Sequence, residues 1–151
     1  MKFRVQTQGF AELEKALEEF RPPTAKNVLR RAGLGALKPV ADGMKAKAPK
    51  RFENLRDAID TGTKRQKGTK KHFPDSSTVE VYAGVSVVGG GMPPQAIQQE
   101  FGNERHGPQA YVRPGWDAEK GQVMDHLEDS LSTEIDKATA RAQRRALKAK
   151  G

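Results

Sequence analysis

The last third of the chain constrains the fold most. Val123, Leu127, Leu131, Ile135 and Ala138 recur every three or four residues with polar residues between them, the period of an α-helix that buries one stripe. Pro114 suits a first helical turn, where its missing donor costs little. A helix from about Pro114 to Leu147 would run roughly 50 Å at 1.5 Å per residue. One domain of 151 residues cannot cover such a rod, so its far end is expected to project or to touch a partner.

The other elements are shorter. Phe3, Val5 and Thr7 alternate with Lys2, Arg4 and Gln6, a period-two strand with one buried face. Phe10, Leu13, Leu17 and Phe20 then step at helical spacing until Pro22 and Pro23 stop them. Leu29, Ala32, Ala36, Val40 and Met44 make the stripe of a second helix, closed by Pro49. Gly33, Gly35 and Pro39 lie inside it, and proline removes a backbone donor and clashes one turn back. A kink or break is therefore expected near Leu34 to Pro39, with small residues that let another element approach closely.

Leu55 to Ile59 reads as a helical turn, Thr61 to Lys67 as a strand, and the polar stretch from Lys67 to Ser77 as an exposed loop. Val79, Val81, Ala83, Val85 and Val87 alternate with polar or small residues, the clearest strand of the chain. Ala96 to Phe101 suits one helical turn, and a short strand fits Gln109 to Val112. The order of strand, helices, strands and helix gives an α+β fold: a small antiparallel sheet packed by helices, with a long C-terminal α-helix. Residues 1–140 read as a single domain and 141–151 as a basic extension of the last helix.

Apolar residues make up 35% of the chain and charged residues 30%. That is thin for a self-sufficient core and predicts an extended shape or a core completed by neighbouring subunits. The net charge is +8, which suits an acidic partner surface such as nucleic acid. There is no cysteine, so disulfides and thiolate metal sites are excluded. The first residues hold no apolar signal-peptide core, and no run of about 18 apolar residues indicates a membrane span.

Nothing reads as catalytic, and no cofactor or metal is expected. His72, His106 and His126 lack metal-ligand spacing with one another. Asp125, Glu128 and Asp129 sit on one helix with no second acidic cluster opposite, so the commoner explanation is a solvated face. Gly89 to Gly91 is followed by Pro93 and Pro94 rather than by the Lys-Ser or Lys-Thr of a phosphate loop. Asn103 to His106 lacks the repeated His and Asn of a nuclease loop and reads as a polar turn.

Two basic groups stand out. The first is Lys64, Arg65, Lys67, Lys70 and Lys71; the second is Arg141, Arg144, Arg145, Lys148 and Lys150, preceded by Lys137. Either could face DNA phosphates without reading sequence. Either could equally be a solvated surface, the second complementing the negative end of its helix. No aromatic residues are interleaved, which argues against base stacking on single strands.

The order of several short motifs resembles the head–tail connector or tail-completion proteins of long-tailed phages and prophages. Ala48-Pro49 ends a helix, and Asn54-Leu55-Arg56-Asp57-Ala58-Ile59 follows at the matching distance. After the Val-rich segment come Glu100-Phe101-Gly102-Asn103 and then Ala110-Tyr111-Val112-Arg113-Pro114 before the last helix. The likeness covers most of residues 10 to 140. Phe52-Glu53 departs from the family's usual Thr-Gly, Asn103 from its Thr, and Tyr111-Val112 from its Phe-Leu.

The resemblance implies a structural virion protein, not an enzyme. It implies a cyclic ring, six-fold as the expected symmetry, in the neck of the virion, assembled in the bacterial host cytoplasm. Its neighbours would be connector, portal-side and tail-tube proteins, with double-stranded genomic DNA passing through the channel and no membrane. Whether the layer is an adaptor, stopper, completion or tail-terminator ring stays open. Within it, Lys64, Arg65, Lys67, Lys70 and Lys71 are the candidates for lining the channel. Pro49, Leu55, Arg56, Ile59, Glu100, Phe101, Gly102, Arg113 and Pro114 are the packing and assembly motif. Phe101 is expected to be buried, Gly102 to turn the chain, and Arg113 to pair with a carboxylate across a subunit contact. The rival from another class is a sequence-independent DNA-binding protein of a phage or prophage; tight binding by a monomer would favour it.

Overall fold

The computed structural model describes residues 8–64, 78–86 and 92–150. The elements are α1 (Gln8–Glu18), α2 (Pro22–Lys47), α3 (Glu53–Ala58), β1 (Ile59–Gly62), β2 (Tyr82–Val85), α4 (Gln95–Phe101), α5 (Val112–Glu119) and α6 (Val123–Lys150), with a 3-10 turn at Lys120–Gln122 between the last two. The fold is α+β, with a small antiparallel sheet and a long C-terminal helix. The strand expected at residues 3–7 lies outside the described residues.

The central helix α2 packs against α5, α6 and both strands. It does not break near Leu34 to Pro39 but runs on for 26 residues with Pro39 inside. The proline removes one hydrogen bond, and a helix packed along so much of its length tolerates that loss. Its glycines mark close approaches. A Cβ at Gly33 would come within 2.9 Å of Val81, and one at Gly35 within 3.1 Å of Ser130. The tightest approach to another backbone comes from the other side, where a Cβ on Gly115 of α5 would lie 2.8 Å from the backbone of Met44.

Two apolar clusters result. One joins Val40, Ala41, Met44, Ala48, Leu55, Ile59, Ala96 and Tyr111; the other joins Val28 and Ala32 to Leu131, Ile135 and Ala138, with α1 supplying Phe10, Leu13 and Leu17. Among the described residues the sheet is smaller than the valine alternation suggested, and Val87 lies outside them. Ile59 pairs with Val85 and Gly62 with Tyr82 in antiparallel register. β1 begins directly at the end of α3 and stops at Gly62, short of the Thr61 to Lys67 span read from sequence. No strand forms at Gln109 to Val112, because Val112 already opens α5. The last helical stretch is interrupted by the 3-10 turn, so the single rod becomes α5 and then α6. Residues 141–149 are all exposed, so the far end of α6 stands clear of the described body.

Replacing Gly115 by Ala is expected to cost about 1–3 kcal/mol, because the methyl meets the Met44 backbone as well as its side chain, and the backbone cannot move aside. Gly121→Ala, with nothing within 4 Å of its Cβ position, should shift stability by no more than about 0.5 kcal/mol. Chemical denaturation of the two variants measures the contrast; equal midpoints would mean that the α2–α5 contact is looser than described.

Candidate assembly surface around Glu100

The motif residues Glu100, Phe101, Gly102, Arg113 and Pro114 come together where α4 meets the start of α5. Helix α5 has no side-chain cap of its own, since its N-cap residue is Tyr111. Its first donors are satisfied from α4 instead. Tyr111 N–H and Val112 N–H donate to Glu100 Oε2 at 2.8 Å each, and Arg113 N–H donates to Oε1 at 3.2 Å. The Arg113 side chain adds a contact from Nε to the same oxygen at 3.3 Å. A carboxylate on a helix N-terminus meets free donors and the positive end of the helix dipole.

Glu100 is only 4% exposed. Burial alone would push its carboxyl pKa up, but the hydrogen bonds from Val112, Tyr111 and Arg113 together outweigh this and hold it below the ordinary value. The neighbouring Tyr111 is buried, and its hydroxyl donates to the Ala96 carbonyl at 3.1 Å. Burial, with the Glu100 charge second, pushes the Tyr111 phenol up to about 12. Gln109 N–H donates to the Gln99 carbonyl at 2.7 Å, closing the loop between the helices. Gly102 turns the chain there with φ +78°, and a Cβ on it would meet the backbone of Pro108 at 2.9 Å.

One expectation for this motif is corrected. Phe101 is not buried: it is 66% exposed. The inward positions of α4 are taken by Ala96, Gln99 and Glu100, and the carboxylate must point inward to cap α5. The next residue is then carried about 100° round the helix, toward solvent. Within its own chain Arg113 pairs with Glu100, and its guanidinium lies 5.5 Å over the Phe101 ring.

Ile97, one turn before Phe101 on α4, is 62% exposed, and Trp116, one turn after Arg113 on α5, is 43% exposed. Glu100 therefore fixes an outer face on which Ile97, the Phe101–Arg113 stack and Trp116 are displayed. Pro114 sits in the first turn of α5. Sequence reasoning missed Gln99 and the buried role of Tyr111; a polar side chain inside a short helix gives no signal of its direction until the helix is docked.

The rest of the motif lies at the other end of the same core. Leu55 and Ile59 are buried, and Pro49 accepts from Phe52 N–H at 3.2 Å. Arg56 Nε and Gln99 Oε1 are buried with no hydrogen-bond partner among the described residues. An open cleft of about 420 Å³ is lined by Asn54, Asp57, Ala58, Pro93, Pro94 and Gln95, with Asp57 the one ionisable group among these described residues. Among the described residues, no three His, Asp or Glu side chains converge as metal ligands. Of the first basic group only Lys64 is described, and it is exposed; Arg65, Lys67, Lys70 and Lys71 lie outside the described residues.

Glu100→Gln should destabilise the fold by about 2–3 kcal/mol, since one amide oxygen cannot replace a carboxylate shared by three backbone donors. The sign with pH follows from the lowered pKa. The Glu100 contribution is full above its ordinary value of 4.5 and is lost as pH falls through the depressed folded value. Thermal melts from pH 7 to pH 3 should show a smaller acid loss in the Gln variant than in the parent; parallel curves would contradict the capping role.

Comparison with known proteins finds no matching family model, no similar curated protein and no similar solved structure.

Proposed function

We propose that this chain is a structural virion protein of a tailed phage or prophage. In this reading it forms a ring in the neck that joins or completes the head–tail interface around the passing DNA. The observation that carries the reading is the outward face at Ile97, Phe101, Arg113 and Trp116. It coincides with the motif residues that resemble the connector and tail-completion family. Large apolar side chains scattered singly on a surface need no explanation; two on adjoining turns of one short helix, beside an Arg–aromatic stack, are the anchor types that protein interfaces use.

Glu100 then has an assembly role at one remove. It spends a buried carboxylate on the start of α5 and so holds the Phe101–Arg113 pair in one geometry before any partner arrives. The thin core agrees with this, because a subunit that covers this face in a ring buries apolar area that the chain alone leaves wet. Neither the described cleft nor the described acidic residues assemble a nucleophile, base and oxyanion site, and the reading requires none.

Replacing Ile97 and Phe101 together by Ala tests it. Because both side chains are exposed, the monomer should lose no more than about 1 kcal/mol of stability. Assembly should fail, leaving unjoined heads and tails in particle counts and no ring in native mass measurements with tail or connector partners. The parent should give a ring, six-fold by expectation. A folded double variant that still yields infectious particles in normal number would overturn the assignment of this face.

A further inference from the structure

We propose that the projecting end of α6 is a binding arm for duplex nucleic acid, holding the phosphate backbone through one basic face without reading sequence. The inference is independent of the neck reading, because it rests on the helix itself. Lys137, Arg141, Arg144, Arg145 and Lys148 fall within an arc of about 100° when projected at 100° per residue. They span about 16 Å of axis. No acidic residue follows Asp136.

The four cations beyond Lys137 are exposed and have no ion-pair partner among the described residues, whereas Lys137 is held by Glu134 at 2.9 Å. Lys137 and Arg141, Arg141 and Arg145, and Arg144 and Lys148 are like charges four residues apart, which destabilises a helix by a few tenths of a kcal/mol per pair. A line of phosphates relieves that repulsion.

The remainder of the arm favours nucleic acid over an acidic protein. Away from the basic face it carries Ala142, Ala146, Ala149, Thr139 and Gln143, and Leu147 is its one large apolar side chain. A protein interface of useful strength needs a cluster of aromatic or aliphatic anchors at its centre, and this arm offers Leu147 alone, off the basic face. A slim alanine-rich helix does fit a DNA major groove about 12 Å wide. The chain's own acidic helix surfaces, on α1 (Glu12, Glu14, Glu18) and on the first half of α6 (Asp125, Glu128, Asp129), make a second copy the rival occupant, and the oligomeric mass of the variant below separates the two.

The test uses the full chain and a random-sequence 30-base-pair DNA duplex followed by fluorescence anisotropy. Four phosphate contacts predict that affinity falls about 100-fold between 50 and 200 mM salt. Changing Arg141, Arg144, Arg145 and Lys148 to Gln, a good helix former, should abolish most of the binding and flatten the salt slope, with helix content by circular dichroism unchanged. A control with the same charge change spread over exposed Arg21, Arg30, Lys47 and Lys50 should keep the parent slope. Equal losses in both variants would reduce the effect to net charge and overturn the arm. So would a stripe variant that binds duplex normally, or one whose only change is a lower oligomeric mass, which would make the face a protein contact. Normal head–tail joining in particles that lack this protein, with duplex binding by the parent chain intact, would count against the neck reading alone.

Discussion

The structure depends on how closely α5 can lie on α2. Gly115 brings the two backbones to a distance that any side chain would forbid, and this fixes the line along which the chain continues into α6. Once α5 is there, its first turn stands against α4, and the Glu100 carboxylate closes the gap by accepting its backbone donors. The two contacts act at different levels. The first is steric and sets position; the second is electrostatic and sets the angle at which α4 meets α5. Together they decide that Phe101, Arg113 and Trp116 are displayed rather than absorbed.

Much of the frame was legible because it follows from period alone. Leu127, Leu131, Ile135 and Ala138 announce α6 and do form its buried stripe, with Leu127 at the margin. The α+β order and the antiparallel pairing follow from the segments around Ile59 and from Val81 to Val85. What was not legible is what depends on docking. Pro39 signals a break by local rules, yet packing on α5, α6 and the sheet carries α2 through it. Phe101 signals burial by its composition, yet the partner of α5 is the residue before it. A carboxylate with three backbone donors waiting eleven to thirteen residues downstream leaves no trace in hydrophobicity, so the logic of the Glu-aromatic-Gly motif emerges only when α4 and α5 are seen together.

Two surfaces of different chemistry then lie on one rigid helical frame. The α4–α5 face is apolar and aromatic with one shared cation, suited to another protein. The end of α6 is basic, slim and without anchors, suited to a polyanion. The neck reading gives both a use, since a ring subunit must hold its neighbours and tolerate DNA beside it. Charge alone would not separate that reading from a free DNA-binding protein; the displayed apolar face favours the proposed ring, because a ring neighbour would cover Ile97 and Phe101.

The most direct measurement of the central claim is the position of this chain in a purified phage particle. Cryo-electron microscopy of virions, with a small tag fused to this chain, should place a closed ring of tag density at the junction of head and tail. The same particles should contain the protein in a fixed stoichiometry matching that ring. Particles that are complete and infectious without the protein, or tag density anywhere but the neck, would contradict the account.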